Sequence, residues 1–157
     1  MLSCEMVSKD KLLGLLPAFR DEWVMLHPDQ GVHDIINEVI NAHEDFKDDY
    51  NQIALCFDVG TVTEICDYLF EFCKKNLIYI EETEDEQTIA SPGAMLSRGK
   101  CDCKGYSNFC AGVLSALCRA GRKIKWKFRF ASYSITDKSP HHVFVAVDSE
   151  GQEIWLD

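Results

Sequence analysis

Residues 98–121 read RGKCDCKGYSNFCAGVLSALCRAG. A short turn of glycine and polar residues runs directly into an apolar stretch. From Tyr106 the apolar side chains fall at Tyr106, Phe109, Cys110, Val113, Leu114 and Leu117, which is helical spacing and predicts a helix with a wide buried face. Gly121 stands where a helix ends in the left-handed conformation. Cys103 lies at or near the first turn. There the unbonded backbone N–H groups and the positive end of the helix dipole favour thiolate over thiol. An unperturbed cysteine titrates at about 8.5 and a helix N-terminus lowers that. Cys110 and Cys118 sit within the apolar helix and read as core. Cys103 sits among Asp102, Lys104 and Gly105, before the apolar face begins, and reads as a candidate nucleophile.

Outward from this helix, the chain reads as helices first and strands after. Leu12, Leu13, Leu15 and Leu16 predict a short helix closed by Pro17, and Trp23, Val24 and Leu26 a second one closed by Pro28. Ile36, Val39, Ile40 and His43 share one face of a helix over 33–46, with His43 a core-edge histidine. Residues 47–51 read as a polar loop, and 53–57 as a short apolar run of undecided type. Thr61 and Glu64 form a capping box for a helix that turns Ile65, Leu69, Phe72 and Cys73 inward and ends near Asn76. Cys66 and Cys73 read as core packing. Residues 77–80 predict a short strand, 81–86 a solvated acidic loop, and Ser91-Pro92 the start of a short helix that ends at Gly99.

After Gly121 the period changes to two. Ile124, Trp126, Phe128 and Phe130 alternate with Lys123, Lys125, Lys127 and Arg129, marking a strand with one wet face. A loop at 137–140, a strand at 142–147, turn chemistry at 148–151 and a strand at 153–156 follow, the last two paired as a hairpin. Helices followed by consecutive strands imply an α+β fold with an antiparallel sheet. At 157 residues one compact domain is expected, with 1–60 as an N-terminal helical segment and 61–157 as the core.

The net charge of -10 argues against a nucleic-acid partner. The one basic cluster, Arg119 to Arg129, is largely the wet face of the strand. No apolar run is long enough to span a membrane, and no signal peptide is evident at the N-terminus, so the eight cysteines are expected to be reduced thiols in the cytoplasm.

A cysteine nucleophile needs a proton acceptor, usually histidine, and a carboxylate or amide that holds the imidazole. His142 lies 39 residues beyond Cys103, and Asp157 lies 15 beyond His142. If their two strands pair through the turn at 148–151, His142 and Asp157 reach the same end of the sheet, where the cysteine helix can cross. A metal or redox site from Cys101, Cys103, Cys110 and Cys118 is the competing reading, but zinc usually takes paired ligands such as C-x2-C. No cofactor or metal is expected.

The blocks GKCDCKGYSNF…LSALCRAG, HVFVAV and EIWLD, in that order, resemble the transglutaminase-like superfamily. Residues 68–92 are also similar to the lead-in of its bacterial and phage members, so the resemblance spans about 62–157. It implies a papain-like core, with a central cysteine-bearing helix packed on an antiparallel sheet. It also implies Cys103 as nucleophile, His142 as general base and Asp157 as the residue that orients it. The implied activity is peptidase or amidase chemistry on peptide or protein amides through an acyl-enzyme; acyl transfer and an inactive peptide-binding module are the alternatives. The Cys103 backbone N–H is the natural first oxyanion donor, with the Gln87 side chain nominated as the second. The sequence departs from the family in three places. Cys101 replaces a frequent glycine and could form a disulfide, resolve an oxidised Cys103 or substitute for it. His141 adjoins His142. The chain stops at Asp157, where the family continues with proline and further strands, so a sequence shortened at its C-terminus is expected.

Overall fold

Caps set the helix boundaries. A computed structural model of the chain describes residues 5–26, 31–83 and 87–157. Helix α4 (Val62–Asn76) opens on the reciprocal Thr61/Glu64 box, with 2.7 Å from the Thr61 N–H to the Glu64 carboxylate. Helix α5 (Pro92–Arg98) opens on the Ser91 hydroxyl and closes on Gly99 at φ +65°. Helix α6 (Cys103–Arg119) opens on Asp102, whose carboxylate accepts the Gly105 N–H at 3.0 Å. It ends in a Schellman motif: Gly121, at φ +107°, donates to Cys118 O and Arg122 donates to Leu117 O. Three further helices precede these: α1 (Lys9–Leu15), α2 (Val32–Asp45) and α3 (Lys47–Ile53), the last running into a 3-10 turn over Ala54–Phe57.

Three expectations for this region need correction. Residues 47–51 are helix, not loop, because Tyr50 and Ile53, three apart, are both buried against the core. No second helix forms around Trp23. Adjacent apolar residues there cannot share one stripe, and Trp23 and Val24 are 63% and 80% exposed. Pro28 lies outside the described residues. Helix α6 has more than one buried face: every residue from Ser107 to Leu117 is buried, so it is the axis of the molecule.

The sheet is built as its alternation predicts. β3 (Lys125–Ala131), β4 (His142–Ser149) and β5 (Gln152–Leu156) pair antiparallel in that order. Trp126, Phe128 and Phe130 lie opposite Val147, Val145 and Val143, so these six share the face turned to the helices. On the other face Lys127 and Arg129 converge on Glu153 of β5, at 3.0 and 2.6 Å. Glu150 and Gly151, at φ +53° and +80°, form the two-residue turn whose twist suits a hairpin. The register places Leu156 opposite Val145, so Asp157 comes beside Phe144, within diagonal reach of His142. A separate parallel pair joins β1 (Ile78–Tyr79) to β2 (Lys100–Cys101), just before α6.

The described residues thus mix helix and sheet, with the three antiparallel strands following the last helix and the short β1/β2 pair interleaved with α4–α6, compatible with the α+β class. None of their helices is long and apolar enough to cross a membrane.

Candidate active site

Cys103 is the first residue of α6. The helix start is docked on the histidine strand by Ser107, one turn on, whose hydroxyl donates to Val143 O at 2.9 Å. That contact brings the Val143 backbone N–H to the Cys103 sulfur, where the Lys104 N–H also points. His142, the residue before Val143, bonds through Nε2 to Asp157 Oδ1 at 2.5 Å. The rings of Tyr133 and Phe144 flank the imidazole at 5.8 and 6.0 Å between centroids. Asp157 occupies Nε2, so Nδ1 is the nitrogen left for a reacting group. Cys103 and His142 line one cavity of about 140 Å³, room for a side chain or a few waters. One wall is apolar and comes from Val32, Ile35, Ile36 and Val39 of α2; Tyr79, Gln87 and Lys104 supply polar groups.

The adjoining histidine is partnered differently. His141 pairs with Asp137 at 3.2 Å, within its own loop. Gln87 lines the cavity, and its Nε2 donates to Thr83 O at 2.7 Å. Cys101 faces elsewhere. It lines a second cavity of about 500 Å³ with Trp23, Arg98 and Met95, and its Cβ lies 2.7 Å from where a Cβ on Gly105 would be. Burial, then Asp102, pushes the Cys101 thiol up to about 12. The described cysteines are all free thiols, and Cys4 lies outside the described residues. Cys118 donates to Ile124 O at 3.3 Å, and Cys73 and Cys110 lie as neighbouring thiols in the core. Among the described residues no three His, Cys, Asp or Glu side chains converge as a metal site needs.

Two features depart from the sequence reading. The Cys103 thiol is not lowered by its helix end; its pKa is raised. Burial is the largest cause, and the Val143 N–H pulls the other way. The Asp102 carboxylate pushes up again, and the Lys104 ammonium and N–H pull down. The acidic loop is also not simply solvated. Glu82 accepts from Lys104 Nζ at 3.1 Å and from the Thr88 N–H at 2.8 Å. Lys104, only 7% exposed, bonds Asp102 as well. Burial lowers the Lys104 pKa, but the two carboxylates outweigh it and leave the ammonium more stable than in water. Residues 84–86 of that loop lie outside the described residues. No sequence signal marked this buried triad, because Lys104 and Glu82 are 22 residues apart. His43 sits at the core edge, edge-on to Trp126 at 5.2 Å.

Compared with protein-family models, with curated proteins and with solved structures, the chain matches none.

Proposed function

We propose that the chain is a thiol-dependent hydrolase of peptide or protein amides, with a transglutaminase-like, papain-like arrangement of Cys103, His142 and Asp157. The observation that carries this reading is the 2.5 Å bond from Asp157 to His142 Nε2, at the cavity into which Cys103 opens. Asp157 fixes the ring so that Nδ1 accepts a proton. The raised thiol pKa makes the neutral thiol the resting form. Attack is then coupled to proton transfer. The Cys103 sulfur bonds the carbonyl carbon as its proton passes to His142 Nδ1, and the carbonyl oxygen takes up the negative charge.

In this reading the Cys103 N–H, which has no carbonyl to bond within the helix, receives that oxygen together with the Gln87 side-chain amide at the cavity wall. Collapse breaks the C–N bond, and the amine leaves with the proton from His142. Water then attacks the thioester, gives its proton to His142 and releases the carboxylic acid and the thiol. Tyr79, 58% exposed at the cavity, leaves the site open to water, which favours hydrolysis over transfer to an amine. The free thiols suit a reducing cytoplasm. In this reading the N-terminal segment 1–60 contributes one wall of the site through α2.

The test is incubation of the protein with a mixed peptide library, with new termini read by mass spectrometry. Cleavage by the wild type that disappears in Cys103→Ala and His142→Ala and is reduced in Asp157→Ala is expected. Wild-type protein that produces no new termini, and no Cys103 adduct with a peptidyl acyloxymethyl ketone, refutes it.

A further inference from the structure

Tyr79 is a phenol on a two-residue strand, mostly exposed, with no aromatic contact among the described residues. Packing does not explain its position, yet the position is fixed. Ile78 donates to Gly99 O at 2.9 Å and Ile80 to Cys101 O at 2.8 Å, so the strand is pinned on both sides of Tyr79. The register sets Tyr79 beside Cys101, two residues before Cys103. From there Tyr79 lines the same cavity as Cys103, its hydroxyl close enough to the sulfur for each to feel the other's charge.

We propose that Tyr79 is a catalytic residue of the hydrolysis assigned above: its O–H donates to the Cys103 sulfur as that atom becomes anionic, then to the carbonyl oxygen as the charge moves there. The inference rests on that assignment of Cys103. No bond to the phenol forms or breaks, and its proton stays in place throughout. Burial of the hydroxyl, then the negative charge of Cys103, Asp102 and Glu81, pushes the Tyr79 pKa up to about 12, so it remains a donor at neutral pH. On the sulfur, burial and the backbone N–H groups are the larger influences, so the phenol adds to them rather than replacing them. Gln87 has spent one of its two N–H groups on Thr83, and a second side-chain donor completes the oxyanion site.

The experiment is iodoacetamide alkylation of wild type and Tyr79→Phe across pH, with modification of Cys103 followed by mass spectrometry. Matching melting temperatures confirm the fold, as expected for an exposed ring. Loss of a donor to the thiolate moves the Cys103 midpoint up by about one unit, and peptide cleavage falls about 10-fold or more. Superimposable alkylation profiles overturn the proposal. Failure of the hydrolase reading looks different: the profile moves, but the wild type cleaves nothing. Tyr79 then has no reaction to serve, and its catalytic role falls with that reading.

Discussion

Gly112→Ala sets two effects of similar size against each other. Gly112 lies in the middle of α6, where alanine is the better helix former by about 1 kcal/mol. The position is not open, however. A Cβ there would meet Cε2, Cζ and Cδ2 of Tyr50 at less than 3.0 Å, closer than real Cβ atoms come. These are ring carbons, not the end of a flexible chain. Tyr50 is 1% exposed and packs edge-on to Phe109 at 6.1 Å, so the ring cannot swing aside without opening the core. Overpacking of this kind costs about 1–3 kcal/mol and sometimes more. With a bulky ring as the obstacle the upper part of that range applies, and the clash wins by about 1–2 kcal/mol after the propensity gain. For a chain of this length that is a fall of about 3–6 °C in Tm. Urea unfolding should show a lower midpoint with the same slope. In a Tyr50→Leu background the same change should cost less, with a coupling of at least about 1 kcal/mol. A Gly112→Ala protein as stable as wild type, or more so, refutes the reasoning, because Tyr50 would then have room the packing denies it.

Asp157→Ala leaves His142 without its carboxylate; turnover should fall about 10- to 100-fold with little change in Tm, since Asp157 is exposed. Steady-state kinetics beside a melt checks both. Lys104→Met leaves Asp102 and Glu82 facing each other without a cation, so unfolding by urea should show a loss of about 3–5 kcal/mol, partly restored by adding Glu82→Gln. Hydrogen bonds from Arg129, Trp155 and Lys127 hold the Glu153 carboxyl down at about 2, against an ordinary 4.5. A depressed carboxylate contributes stability above its unfolded pKa and loses it as pH falls through the folded one. The Tm gap between wild type and Glu153→Gln should therefore be full at pH 7, shrink below about 4.5 and close near 2. A gap that is constant with pH contradicts this.

The sequence was most readable where a few neighbouring residues settle the outcome. The Thr61/Glu64 box, the Ser91-Pro92 start, the glycines at 99 and 121 and the turn at Glu150-Gly151 each act within about one helical turn or one hairpin loop. The His142–Asp157 contact was legible too, because turn length fixes hairpin register and register fixes which strand ends meet. Helix α3 was not legible: its exposed residues are polar, and its two anchors, Tyr50 and Ile53, have meaning only against α6. Tyr79 and the Lys104–Glu82 pair escaped for a related reason. An exposed tyrosine and a lysine after a cysteine carry no periodic signal, and only the tertiary fold brings each to the cavity.

The Cys103 pKa shows why a helix N-terminus alone is a poor guide to a reactive thiol. The positive end of a helix helps an anion only if nothing else has already taken it. Here Asp102 has. One oxygen of its carboxylate caps the Gly105 N–H and the other holds Lys104, so the fold's own anion occupies the place where a thiolate would benefit. The cap stabilises α6 by about 1 kcal/mol and at the same time raises the cost of ionising its neighbour. Lys104 is the offset: a buried ammonium, itself held charged by Asp102 and Glu82, that lowers the thiol pKa while Asp102 raises it. With the two charges opposed, burial decides the direction, and the sulfur rests as a thiol. A nucleophile in that condition depends on a base that takes its proton during attack and on donors that receive the charge afterward. If Cys103 is the nucleophile of the proposed hydrolase, the orientation of His142 by Asp157, rather than the helix dipole, is therefore the feature on which its reactivity turns.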